Sequence, residues 1–206
     1  MAGYLLKIIK LGSLSMILYG SQTSPFVRRL RLLLPENTYE FHKVDIFNAT
    51  ERKKYISLSP LLKIPFMEID GQVIWDSRVI FNELCRRGYH PSLILPEENI
   101  LTAINDLSDS LIQTYLALRS KVEFPVGSPI ELSHRERIEN TLTYLVHRVE
   151  LGDFAKWNFL AMSLFTLLDW IEFRQIVSLS GYPILQQFVE KNRQQNRVAL
   201  TNPRIV

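Results

Sequence analysis

Apolar and polar positions follow two different periods along this chain, and the change falls near residue 88. Met16 to Tyr19 is a short apolar run with the β-branched and aromatic content of a buried strand. Gly20 to Thr23 breaks it. Ser24 suits a helix N-cap and Pro25 the first helical position, where a missing N–H costs nothing. Phe26, Val27, Leu30, Leu33 and Leu34 then recur at helical spacing until Pro35 stops the helix. Arg28, Arg29 and Arg31 fall between them and read as a solvated face.

Tyr39 to Val44 predicts a second strand, and Asn48 to Tyr55 a short polar helix capped by Asn48. Phe66 to Ile69 and Gln72 to Trp75 flank Asp70-Gly71, a strong hairpin signal, so these two strands are antiparallel neighbours. Asp76-Ser77 caps a further helix that runs through Leu84 and is ended by Gly88. The order strand, helix, strand, helix, strand, strand, helix gives one parallel pair with antiparallel additions, which is the thioredoxin arrangement. Pro65 opens a strand directly after a loop. In that arrangement such a proline is usually cis.

Beyond Gly88 no strand pattern returns. Leu101, Ile104, Leu107, Leu111, Tyr115 and Leu118 keep helical spacing, as do Ile138, Leu142, Leu145 and Val149 within Ser133 to Leu151. Asn158 to Val177 and Tyr182 to Asn192 predict two more helices. The expected organisation is a thioredoxin-like α/β domain over 16–88, a linker over 89–99 that contains Pro91 and Pro96, and an all-α domain over 100–206. Residues 1–15 are apolar with Lys7 and Lys10. The apolar run is short and no small-residue cleavage site follows, so they read as an extension without fixed order rather than a signal peptide.

Composition narrows the function classes. Hydrophobic residues make up 47% of 206, enough for a sizeable core, and the net charge of +3 is too mild for a nucleic-acid stripe. One cysteine, Cys85, excludes an internal disulfide and any multi-thiolate metal site, and suits a reducing, cytoplasmic setting. His42, His90, His134 and His147 have no ligand spacing, so no metal is expected. The most apolar run, Phe159 to Leu168, is interrupted by Ser163 and Thr166 and followed by Asp169; it reads as a core helix, not a membrane span.

Candidate chemistry starts at Ser24. An N-cap hydroxyl sits where free backbone N–H groups and the positive end of a helix dipole favour an anion, and it can donate to a thiolate, carboxylate or phosphate. Thr23 is a second hydroxyl that could serve instead. Taken alone, Ser24 and Asp76-Ser77 are also ordinary helix caps.

In combination these segments resemble a glutathione transferase from Met16 onward. Ser24-Pro25-Phe26 with Arg28-Arg29 is similar to the tau-type serine start. Ser59-Pro60-Leu61-Leu62-Lys63-Ile64-Pro65 resembles the family's Asn-Pro-Leu-Gly-Lys-Val-Pro loop, with Ser59 and Leu62 as departures. Asp70-Gly71 and Trp75-Asp76-Ser77 resemble its hairpin and acid–serine pair. Gly181-Tyr182-Pro183 and Thr201-Asn202-Pro203 resemble the tail of bacterial members. Asn158 stands at a family capping box whose closing aspartate is Ala161 here, so the cap can act but nothing returns the hydrogen bond.

The resemblance implies that Ser24 activates the thiol of glutathione, used as co-substrate, for attack on an electrophilic small molecule. It implies that Ile64, before a cis Pro65, pairs its backbone with the cysteinyl unit. Ser77 and its helix N-terminus would take the γ-glutamyl carboxylate, Asp76 the amine and Lys63 the glycine carboxylate. Leu111, Tyr115 and Arg119 would line the second-substrate pocket. A homodimer is implied, with neither nucleic acid nor membrane as partner. Two other readings stay open on the same fold: a glutaredoxin-like thiol transferase, and a non-catalytic binding or regulatory module.

Overall fold

The computed structural model describes residues 15–205, so the reading of 1–14 lies outside the described residues. The chain divides into two compact units, one running to Ser92 and resuming at Asn196, the other Leu93–Gln195.

The first unit is built on a four-stranded sheet in the order β2-β1-β3-β4, with β1 Met16–Gly20, β2 Glu40–Lys43, β3 Phe66–Ile69 and β4 Gln72–Trp75. β1 pairs parallel with β2 and antiparallel with β3, and β3 pairs antiparallel with β4. The helices are α1 Pro25–Leu33, α2 Ala49–Tyr55 and α3 Ser77–Arg86, with a 3-10 turn at Glu36–Thr38 after Pro35. α1 packs against α3, and Leu18, Leu30, Met67, Ile69, Ile80 and Leu84 are fully buried in this unit. Gly20 is demanded by packing: a Cβ there would meet the side chain of Val27 at 2.4 Å. The thioredoxin-like order read from the sequence is therefore present, strand by strand.

Three expectations need correction. Arg28 and Arg29 are not a solvated face; they are 3% and 2% exposed. Periodicity sends charges between apolar positions to solvent, but here distant segments supply partners. Arg28 donates from Nε to Thr201 Oγ1 at 3.3 Å and from Nη2 to the Val198 carbonyl at 3.3 Å. The second correction follows from the first. Residues 196–205 belong with the α/β unit rather than with the helices, because Arg28 holds Val198 and Thr201 while Arg197 donates to the Leu34 carbonyl. Third, the stretch 89–99 is not all linker. A long helix, α4 Leu95–Arg119, starts inside it. Pro96 lies in its first turn, where a missing N–H does no harm, and Glu97 accepts from the Ile94 N–H at 2.9 Å.

The second unit also contains α5 Pro129–Glu150, α6 Phe159–Arg174 and α7 Pro183–Asn192. α5 begins four residues before the expected Ser133, since Ser128 caps it by accepting from the Glu131 N–H at 3.4 Å. α6 is buried on every side from Phe159 to Ile171, as expected for a helix that is apolar all round. Asn158 caps it by accepting from the Ala161 N–H at 3.1 Å. It stops at Arg174, short of Val177, because Gln175 turns left-handed at φ 53°. Asp169, wholly buried on α6, meets Arg193 at 2.7 Å, and Glu172 and Glu190 share the same guanidinium. Burial pulls the Arg193 pKa down, but the hydrogen bonds it donates to Glu190 and Asp169, with the charges of Asp169 and Glu172, outweigh this and hold it up. Among the described residues no helix is long and apolar enough to cross a membrane.

At the end of α3, Glu83 accepts from Arg86 at 2.7 Å and from Arg87 at 2.6 Å, and Arg87 also bridges to Asp70 at 2.8 Å in the β3–β4 turn. The hydrogen bonds from Arg86 and Arg87 lower the Glu83 pKa from 4.5 to about 2. A carboxylate with a depressed folded pKa contributes stability above its unfolded pKa and loses it as pH falls through the folded one. We expect this contribution to be complete above pH 4.5 and lost toward pH 2. In urea melts, Glu83→Gln should flatten the acid limb of the stability profile while leaving a deficit at neutral pH; an unchanged acid limb would exclude the role.

Candidate active site

Cross-strand register assembles the candidate site. Tyr19 on β1 is opposite Phe66 on β3, and Phe66 is opposite Trp75 on β4. These residues form one row across the sheet. The chain leaves β1 after Gly20 toward Ser24, enters β3 from Ile64-Pro65, and leaves β4 toward Asp76-Ser77. The three segments singled out in the sequence therefore meet at one end of the sheet, although about fifty residues separate the first from the last.

Ser24 caps α1. Its backbone is extended (φ −77°, ψ 127°), and Oγ accepts from the Val27 N–H at 3.4 Å. An accepting hydroxyl keeps its own proton for donation. Thr23 differs. Its Oγ1 lies 3.1 Å from Ser21 Oγ, and Ser21 Oγ also accepts from the Thr23 N–H at 3.3 Å. The two neighbouring hydroxyls thus serve each other, and Ser24, partly exposed, is the one turned to the helix N-terminus. The nearby phenol of Tyr19 is stacked on Phe66 with ring centroids 4.6 Å apart. Burial, then Glu68, pushes its pKa above the ordinary value.

The loop before β3 closes on itself. Leu62 N–H donates to the Ser59 carbonyl at 3.1 Å, and the buried Ser59 hydroxyl donates to the Lys63 carbonyl at 3.4 Å. Leu62 sits at φ 50°, a left-handed conformation that favours glycine, which is the residue the family pattern has there. The departure thus places a leucine in a left-handed backbone conformation. Ile64-Pro65 is cis, as the sequence pattern suggested. Lys63 is exposed, Ile64 partly so, and Pro65 buried.

Asp76 donates its N–H to the Pro65 carbonyl at 3.3 Å, tying the β4 end to the β3 start. Its backbone stands at φ 72°, ψ 134°, a region that a non-glycine residue occupies at a cost of about 1–3 kcal/mol and that clusters at functional sites. Its Oδ1 accepts from the Arg78 N–H at 2.7 Å, so the cap reading holds, and the side chain is exposed. Ser77 is wholly buried, and its Oγ accepts from Arg29 Nε at 3.1 Å and Arg29 Nη2 at 2.6 Å. Arg29 is the residue that sequence reasoning missed, because its partner Ser77 is 48 positions away.

The three residues expected around a second substrate all lie on α4. Leu111 is wholly buried, so it is a core residue and not a lining one. Tyr115 is partly exposed, edge-on to Trp170 at 5.7 Å and under the Arg174 guanidinium at 5.0 Å. Arg119 is exposed at the helix end. Residues four apart share a helix face, so this face passes from core to solvent along α4. Cys85, near the far end of α3, donates to the Pro91 carbonyl at 3.4 Å.

Known proteins resemble this chain in its first unit and in its fold. Residues 18–92 match the glutathione S-transferase N-terminal domain. A glutathione S-transferase of Hypomyces subiculosus, hmp2, is 32% identical over 81 residues, which are 39% of this chain and 38% of that protein. A probable maleylacetoacetate isomerase of Caenorhabditis elegans is 33% identical over 76 residues, 36% of this chain and 35% of that protein. The matched stretch thus spans well under half the length of these curated relatives. The crystal structure of a Methylobacillus flagellatus glutathione S-transferase with glutathione bound covers 92% of this chain and 100% of its own, with 20% identity and a TM-score of 0.73. Residues 18–92 are thus similar to the N-terminal domain of glutathione S-transferases, and the chain shares the fold of the solved transferase.

Leu62 offers a direct check on the loop. Leu62→Gly should relieve a left-handed backbone that costs a non-glycine residue about 1 kcal/mol or more, partly offset by the greater entropy of an unfolded glycine. The expected result is a small rise in the urea midpoint with an unchanged slope. A clear fall would mean that the leucine side chain is needed where it stands.

Proposed function

We propose that this protein is a glutathione-dependent transferase. Glutathione's thiol is largely protonated at neutral pH, and its thiolate is the nucleophile. Ser24 donates its hydroxyl proton to the sulfur, and the N-terminus of α1 adds its partial positive charge, so the thiolate is favoured. The backbone of Ile64 pairs with the cysteinyl unit as a strand would. The N-terminus of α3 receives the γ-glutamyl carboxylate, Asp76 pairs with the amine, and Lys63 takes the glycine carboxylate. A ligand charged at both ends and reactive in the middle needs this distribution of groups.

The observation that carries the reading is the shared row of Tyr19, Phe66 and Trp75, which gathers Ser24, Ile64 and Asp76 at one end of the sheet. The strained Asp76 backbone at that same end supports it, since such geometry is kept where a function needs it. The second substrate is an electrophilic small molecule, with Tyr115 and Arg119 as its candidate contacts. Conjugation, peroxide reduction and isomerisation all begin from the same bound thiolate; the name of the nematode relative favours including isomerisation.

A thiol-transferase reading is weaker on chemical grounds. Serine cannot form a mixed disulfide, and Cys85 lies eight residues along α3 from Ser77, about 12 Å by helical rise. A non-catalytic module on the same fold would bind glutathione without turnover, or not at all. We further propose a two-fold homodimer acting in the cytoplasm; light scattering should give twice the 24.0 kDa chain mass, and a monomer mass would refute it.

Ser24→Ala should lower kcat/KM toward a generic aryl-halide acceptor by about 10²-fold, the effect of removing one donor to a developing or stabilised anion. The KM for glutathione should move little. Turnover equal to the wild type would remove Ser24 from the mechanism.

A further inference from the structure

Two consecutive residues at the end of β4 close the loop that runs from Leu58 to Pro65. The indole Nε1–H of Trp75 donates to the Leu58 carbonyl at 2.7 Å, where the loop begins. The Asp76 N–H donates to the Pro65 carbonyl at 3.3 Å, where it ends. Adjacent Cα atoms stand about 3.8 Å apart, so both ends of the loop are fastened to one short piece of backbone. Inside the loop, the Leu62 N–H donates to the Ser59 carbonyl and the buried Ser59 hydroxyl to the Lys63 carbonyl. The tie at Asp76 is made by backbone, which any residue but proline supplies. The tie at Trp75 belongs to its side chain.

An indole N–H is a donor only, and 2.7 Å is the short end of the range for N–H···O. Trp75 stands opposite Phe66, the residue that follows Pro65, so its ring reaches across the strand that the loop feeds. The side chain remains 41% exposed, so burial accounts for only part of what a tryptophan brings here. Its N–H is the part that a phenylalanine would lack.

The fastened loop presents a free rung. Among the described residues the N–H and C=O of Ile64 have no backbone hydrogen-bond partner, and the residue is partly exposed. An extended peptide laid beside it meets one donor and one acceptor, as at a sheet edge. Such pairing weakens steeply once distance or angle drifts, so it needs the rung held in place before the ligand arrives. A loop already ordered also spares the ligand the cost of ordering it.

We propose that Trp75 is a positioning residue: its indole latch on the Leu58 carbonyl holds the loop so that the Ile64 backbone is set to pair with the cysteinyl unit of glutathione. The inference rests on the glutathione reading above.

A cycle of two ligands and two proteins, read by calorimetry, tests it. The ligands are glutathione and its depsipeptide, in which an ester oxygen replaces the cysteinyl N–H. The wild type should bind glutathione about tenfold more tightly than the depsipeptide, because the Ile64 carbonyl then loses its donor. Trp75→Phe keeps a ring and removes the N–H. It should weaken glutathione binding about fivefold and bring the ratio below about threefold, since a loop set free no longer registers the missing donor in full. A packing role alone would weaken both ligands together and leave the ratio intact. That result, or affinities unchanged for both ligands, would overturn the proposal. Should Trp75→Phe fail to fold, Trp75→benzothienylalanine, which puts sulfur in place of the N–H within the same double ring, reads the same ratio with the same outcomes. Wild-type protein that binds neither ligand would sink the glutathione reading and this inference with it. Wild-type protein that binds both equally would leave glutathione binding standing and sink this inference alone.

Discussion

Strand register is the constraint on which the site depends. Tyr19, Phe66 and Trp75 stand in one row, and only that alignment brings the turn after β1, the start of β3 and the end of β4 together. A slip of one residue between β1 and β3 would displace Ile64 by about 3.3 Å and send every β3 side chain to the opposite face. The buried Phe66, Met67 and Ile69 oppose such a slip, as does the stack of Tyr19 on Phe66. The hydrophobic core thus sets the geometry of the polar groups.

Two buried cations then tie the tail and α3 to α1. Arg28 and Arg29 are adjacent on α1 and point to different partners, one to Val198 and Thr201, the other to Ser77. Burying charge is costly, and it is tolerated where hydrogen-bond partners are complete and the geometry is fixed. Local strain accompanies these ties. Leu62 and Asp76 hold left-handed or otherwise rare backbone angles within the two loops nearest the β3 and β4 ends. Packing elsewhere must offset this, and it is concentrated around α6 and the sheet interior.

Much of the fold was legible in the sequence because local chemistry decides it. Ser24-Pro25 starts a helix, Asp70-Gly71 turns a hairpin, and Asn158 caps α6, each from its own side chain and its neighbours. The candidate site was legible as a set of residues but not as a place, since register joins them and register is a long-range property. The misreadings share one cause. Arg28 and Arg29 look like surface residues until Thr201 and Ser77 are brought to them from distant segments. Pro96 looks like part of a linker until it is seen in a first turn, where it is compatible with a helix. Leu111 looks like a pocket residue by position on α4, while its burial depends on the helices packed over it. In each instance a tertiary contact overrode a correct local rule.

The proposed catalysis turns on electrostatics, with the helix start at Ser24 favouring the charged form of a bound sulfur. Ultraviolet difference absorbance of glutathione bound to the wild-type protein, followed across pH, measures this directly. The thiolate band should develop about one pH unit or more below that of free glutathione, as thiols at helix N-termini do. A band that develops at the same pH as the free peptide, with binding saturated, would contradict it.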